Sequence, residues 1–108
     1  MKKKSPANFN VDKNTQFAVF GLGKFGCSVV KTLYDNGMNV LCCDIDEHIV
    51  QEMTRFATLA CQADVSEKST LEKLGIRNFD VVIIAFSDDF EAGAITATIL
   101  KEMGVPYI

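Results

Sequence analysis

Short runs of apolar residues alternate along the chain with longer stretches in which apolar positions return every three or four residues. Gln16-Phe17-Ala18-Val19-Phe20 reads as a buried strand that stops at Gly21. From Lys24 to Asn36, the residues Val29, Val30 and Leu33 recur at helical spacing, and Gly37 supplies the left-handed position after the last turn. Asn39 to Cys43 predicts a second strand. Asp46 then caps a short helix carrying Ile49, Val50 and Met53 on one face, and Thr58 to Cys61 gives a third strand. Ser66 is placed to cap a helix with Leu71 and Leu74 facing inward, ending at Gly75. Val81 to Ala85 is apolar throughout, which predicts a central strand covered on both faces. Asp88 with Glu91 has the spacing of a capping box for a helix running through Ile95, Ile99 and Met103 and closed by Gly104. Pro106-Tyr107-Ile108 opens a fifth strand.

Strands separated by helices pair in parallel through crossovers. The pattern therefore predicts an α/β fold, a Rossmann-like doubly wound parallel sheet of strand order 3-2-1-4-5. Complete sheets of this type usually have six strands, so the expectation is a module truncated after the fifth strand begins. Residues 1–14 are expected to be a flexible tail and 15–108 the nucleotide-binding domain. The fourth helix carries Gly93, Ala94, Thr96 and Ala97, small residues that either admit a close partner or pack on the sheet.

Composition narrows the classes. With 108 residues, 48% hydrophobic and 23% charged, the chain suffices for one globular domain with one core. A net charge of −3 argues against a nucleic-acid surface. Lys2, Lys3 and Lys4 read as a solvated tail, and no apolar stretch reaches the ~18 residues of a membrane span. Cys27, Cys42, Cys43 and Cys61 show no C-x-x-C spacing, and the lone His48 is a poor metal ligand. The four cysteines are read as small core residues in a reducing compartment.

Gly21-Leu22-Gly23-Lys24-Phe25-Gly26 matches G-x-G-x-x-G. The hexapeptide alone is a weak signal, but here it follows a strand and opens a helix. Gly21 permits the tight turn, Gly23 admits a pyrophosphate to the backbone, and Gly26 lets the helix approach the sheet. Helical first-turn N–H groups have no internal partners and, with the helix dipole, favour an anion. Asp44 ends the second strand 18 residues after Gly26, where a carboxylate accepts hydrogen bonds from both ribose hydroxyls and repels a 2′-phosphate. Ile45 and Asp46 follow, so no arginine is placed to accept NADP. Asp46 is read as a helix cap rather than a ligand. Asp64, after the third strand, either meets the adenine edge or serves the turn before Ser66. No catalytic residue is predicted: there is no Ser/His/Asp or Cys/His arrangement, and His48 lies on the adenosine side.

Phe17 through Gly26 resembles the opening of the potassium-transport regulatory domains known as TrkA-N, KTN or RCK domains, those of Ktr-type gating subunits above all. Leu74-Gly75-Ile76-Arg77-Asn78-Phe79-Asp80 and the segment from Ala92 to Pro106 carry the same resemblance, which covers roughly residues 16 to 108. It implies a cytoplasmic, non-enzymatic subunit, peripheral at the inner face of the membrane. Such a subunit forms homo-oligomers, from a dimer to an octameric ring at full length. It senses ATP/ADP or NAD/NADH and gates a potassium-translocating membrane subunit. By position the resemblance assigns nucleotide contacts to Gly21, Leu22, Gly23, Phe25, Gly26, Asp44 and Ile45, the terminal phosphate to Lys24, and the adenine side to Asp64 and Val65. Phe86, Ser87 and Asp88 match the loop that lines the phosphates. The family's later strands, dimer-building helices and C-terminal ligand-binding lobe are not in this sequence. Two other readings stay open: the cofactor-binding fragment of an NAD-dependent dehydrogenase, and a nucleotide-sensing transcription regulator. The first would need a base near the nicotinamide and the second a basic recognition helix.

Overall fold

In a computed structural model of the chain, residues 10–108 are described, and the expected Lys2–Lys4 tail lies outside them. Four parallel strands, β1 (Phe17–Phe20), β2 (Val40–Asp44), β3 (Leu59–Gln62) and β4 (Val81–Ile84), pair in the order β3-β2-β1-β4. Their register puts Phe20 beside Cys43 and Ile84, so β1, β2 and β4 end together at one edge of the sheet. The expected fifth strand takes its place outside β4 as a single bridge. Tyr107 pairs with Val81, accepting from Val82 N–H at 2.9 Å and donating to the Asp80 carbonyl at 3.1 Å.

Between the strands run α1 (Lys24–Asp35), α2 (Glu47–Met53), α3 (Lys68–Lys73) and α4 (Phe90–Glu102). Side chains alternate across a strand, and the core divides accordingly. Phe17, Val19, Val40 and Cys42 meet Val30 of α1 and Val50 and Met53 of α2. On the other face, Ala18, Phe20, Leu41, Cys43 and Val82 meet Leu71 of α3 and Leu100 of α4, with Met103 just beyond that helix. Cys42 and Cys43 thus occupy opposite faces as expected. Burial pushes their thiols up to about 11 and about 12, and all four cysteines are free.

Three expectations are corrected. Ser66 does not cap α3, whose N-cap is Glu67; the Ser66 N–H and hydroxyl are both spent on Asp64 Oδ1, at 3.0 and 2.6 Å. Asp88 does not cap α4 either. Asp89 does, accepting from Ala92 N–H at 3.0 Å, because the inward face of the helix is set by Thr96, Leu100 and Met103 rather than by Ile95, which is 44% exposed. That helix is apolar on several sides, so periodicity alone leaves its rotation open. Finally, β4 is fully covered only at Val82, since α1 lies over β1 and β2 and, among the described residues, a single bridge flanks the outer side of β4.

The small residues of α4 also separate. Thr96 is fully buried, its hydroxyl donating to the Ala92 carbonyl at 2.8 Å, and Gly93 faces Ile84 of β4 and Phe86 just after that strand, whereas Ala94 is exposed. A Cβ on Gly93 would lie 3.6 Å from both neighbours, an ordinary contact. Gly93→Ala is therefore expected to stabilise the domain by about 0.5–1 kcal/mol through helix propensity. Thermal unfolding checks this; a lowered melting temperature would show that the helix needs closer approach to the sheet.

Candidate functional site

The carboxyl edge of the sheet opens into a cleft of about 710 Å³. Its walls are the glycine loop after β1, the end of β2 through Asp46, the Ala63–Ser66 turn after β3, and the Ala85–Asp89 segment after β4. This is where a doubly wound sheet takes its ligands, at the point where the strand order reverses. Here that point lies between β1 and β4. A second, smaller cavity opens at the opposite edge, beside Gln16 and Asn39.

The glycines divide the work by geometry. Gly21 has φ +95°, and a Cβ there would sit 2.8 Å from the Ala85 carbonyl oxygen and 2.8 Å from the Phe86 ring. A Cβ on Gly26 would lie 1.8 Å from the Gly21 carbonyl oxygen. Nothing larger than hydrogen fits between the first turn of α1 and the loop. Gly23 differs: its φ is −74°, and within 4 Å an added Cβ would meet only Ser87 Oγ, at 3.9 Å. The packing of the fold does not require glycine there. Gly23 is also the N-cap of α1 and offers no side-chain acceptor, and the first turn holds no acid. By contrast α2 and α4 are capped by Asp46, which accepts from His48 N–H at 2.9 Å, and by Asp89. Among the described residues, the N–H groups of Lys24 to Gly26 have neither an internal partner nor a capping side chain.

Of the residues expected at the site, Gly21, Leu22, Gly23, Asp44, Ile45, Asp64, Val65, Phe86, Ser87 and Asp88 line the cleft. Lys24, Phe25 and Gly26 do not. Lys24 and Phe25 are exposed on the first turn of α1, and Gly26 is buried beneath the loop. Ile45, 71% exposed, and buried Val65 give the cleft an apolar flank. Asp64 serves the turn: its Oδ1 carries both Ser66 contacts, and these hold its carboxyl below the ordinary range. His48 stands exposed, its Nε2 3.4 Å from Glu52. Cys43, Ile49, Ala85, Asp89 and Ala92 also line the cleft and were not singled out from the sequence. Strand-end position would have pointed to Cys43 and Ala85; Asp89 was hidden by the misplaced start of α4.

The Leu74–Asp80 motif lies away from the cleft and braces the fold. Arg77 donates to Glu72 at 2.8 Å and to the Met103 carbonyl at 3.3 Å, while Asp80 Oδ2 accepts from Gln16 N–H at 2.8 Å.

A family model described as the TrkA-N domain matches residues 17–108. The chain is 46% identical over 93 residues to the Ktr system potassium uptake protein C of Bacillus subtilis (strain 168), a match covering 86% of this chain and 42% of that protein. It is 45% identical over 96 residues to the Ktr system potassium uptake protein A of the same organism, covering 89% and 43%. The chain thus spans less than half the length of these curated relatives. Among solved structures, the NAD(P)-binding domain of an exopolyphosphatase-related protein from Archaeoglobus fulgidus superposes with a TM-score of 0.73 at 23% identity, covering 84% of this chain and 68% of that one. That likeness is one of fold.

Two measurements check this geometry. Gly26→Ala is expected to destabilise the domain by more than about 3 kcal/mol, because its Cβ meets backbone that cannot give way. Gly23→Ala should stay within about 1 kcal/mol of wild type, the usual difference between these residues at an N-cap. Equal melting temperatures for the two variants would contradict the assignment. For Asp64, a depressed folded value means that the Ser66 contacts contribute stability above the ordinary carboxylate range and lose it as pH falls through the lowered value. An NMR titration should show Ser66→Ala moving the Asp64 titration upward; no movement would dissociate the two groups.

Proposed function

The chain belongs to the TrkA-N domain family, and from that premise we propose that it is the nucleotide-sensing part of a cytoplasmic regulatory subunit of potassium uptake. The observation that carries the reading is the uncapped N-terminus of α1 at a cleft whose far side presents Asp44. A diphosphate placed over the first turn of α1 meets free N–H donors and the positive end of the helix dipole. The adenosine ribose then falls toward Asp44, and adenine toward Ile45, Asp64 and Val65. ATP/ADP and NAD/NADH share the parts this arrangement reads.

Sensing is favoured over catalysis. Among the described residues the cleft lining carries neither histidine nor lysine, and the Cys43 thiol, pushed up to about 12, is no nucleophile at neutral pH. The relatives' names place them in potassium uptake systems. On this reading the full-length protein forms a homo-oligomer against a potassium-translocating membrane subunit at the inner face of the membrane. Among the described residues no helix is long and apolar enough to cross a membrane itself. Ligand identity becomes a signal only through differential affinity for two states. Lys24, exposed beside the phosphate seat, is the group placed to tell a third phosphate from a second.

Calorimetric titration with ATP, ADP, NAD, NADH and NADP tests the reading. Nucleotides with a free ribose 2′-hydroxyl should bind, and NADP should bind about tenfold more weakly than NAD, or worse, because its 2′-phosphate meets the Asp44 carboxylate. NADP affinity equal to that of NAD would remove Asp44 from the ribose subsite. Binding of none of them would overturn the nucleotide reading. Lys24→Ala should lessen a preference for ATP over ADP of about 1–2 kcal/mol; a variant that keeps the full preference would exclude Lys24 as the phosphate sensor.

A further inference from the structure

Both carboxylate oxygens of Asp44 accept from backbone N–H groups. Its Oδ2 accepts from the N–H of Leu22, in the middle of the glycine loop, at 2.7 Å, and its Oδ1 accepts from Asp46 N–H at 2.9 Å. The preceding loop donor is tied to the same strand, Gly21 N–H donating to the Cys43 carbonyl at 2.9 Å. Two consecutive loop N–H groups are thus held by the last two residues of β2. Beyond them, from Gly23 onward, the loop turns into the uncapped start of α1. The Leu22 side chain is 2% exposed, so core packing fixes this residue from one side and Asp44 from the other.

We propose that Asp44 is a positioning residue for the phosphate seat. Its carboxylate holds the glycine loop in the shape that aims the first-turn N–H groups of α1 into the cleft, independently of any contact with ribose. The inference rests on the nucleotide reading of the cleft and adds a second role to the same side chain. An ionised carboxylate suits both roles, because each oxygen has two acceptor positions and spends one on a backbone N–H. Each oxygen keeps a second acceptor position for a hydroxyl. Hydrogen bonds to a charged acceptor are the stronger kind, and this one joins residues 22 positions apart in sequence. Asparagine would offer a single acceptor oxygen, enough for Leu22 but not for Asp46 as well.

The test separates the two roles by removing the ribose hydroxyls from the ligand. Wild type and Asp44→Ala are titrated with ADP and with 2′,3′-dideoxy-ADP, which keeps the base and both phosphates. Asp44→Ala is expected to bind dideoxy-ADP roughly tenfold more weakly than wild type does. Equal affinities for dideoxy-ADP would overturn the proposal and leave Asp44 acting through ribose alone. Asp44→Asn, whose amide oxygen still serves Leu22, should recover part of the dideoxy-ADP affinity; no recovery would assign the loss to general loosening and overturn the proposal. Failure of the wild type to bind ADP itself is a different result, and it would overturn the nucleotide reading. Amide hydrogen exchange of the ligand-free wild type decides the matter even where Asp44→Ala does not fold. The Leu22 amide should be protected to the level of the β1 amides, and exchange at the rate of an open loop would rule the clamp out.

Discussion

Helix α1 reaches the sheet only because Gly26 has no side chain. The Gly21 carbonyl oxygen occupies the place where its Cβ would be, 1.8 Å away. This contact sets how close the first turn of α1 comes to the end of β1, and the rest of the cleft is built around it. Gly21 must turn at φ +95° to deliver that carbonyl. Its own bare Cα is pressed on the other side by Ala85 and Phe86, which brings the segment after β4 to the same point. The loop, the helix start and the β4 exit are therefore one packed unit.

Electrostatics complete the picture. Asp44, Asp46, Asp64, Asp88 and Asp89 all line the cleft, and among the described residues no lysine, arginine or histidine lines it with them. A phosphate ligand would find such a lining hostile if the carboxylates pointed at it freely. Four of the five spend an oxygen on local backbone N–H groups: Asp44 on Leu22 and Asp46, Asp46 on His48, Asp64 on Ser66, and Asp89 on Ala92. The acids thereby act as caps and turn ties, while backbone donors and the α1 dipole supply the attraction for an anion. On the proposed reading, the same layout would tolerate negative charge over α1 and penalise it beside Asp44.

Much of this is legible in the sequence, and the boundary of what is legible has physical causes. Parallel strands buried on both faces leave continuous apolar runs, so Phe17–Phe20 and Val40–Cys43 declare themselves. The glycine loop does too, because strand, hexapeptide and terminal acid lie in one short stretch where local chemistry decides. What fails to show is anything set by rotation or by long-range contact. The start of α4 is fixed by packing of Thr96 and Leu100 against the sheet, which selects Asp89 over Asp88 as the cap. Ser66 has the right residue type for a cap, yet Asp64 takes both its donors. The bond from Asp44 to Leu22 joins two residues whose identities are each explained without it, so no local pattern announces it. Lys24 and Phe25 belong to the motif by spacing, but they stand exposed on the first turn of α1 and are not part of the cleft lining.

The central claim is that the bare N-terminus of α1 is a phosphate seat. Amide chemical-shift mapping of the isotopically labelled protein on addition of ADP tests it most directly. The largest perturbations are expected at the amides of Gly23 to Gly26, with a second group at Asp44 to Asp46 and a third at Ala85 to Ser87. Perturbations centred instead on Gln16, Asn39 and Leu59 at the opposite edge of the sheet, or none at all, would contradict it.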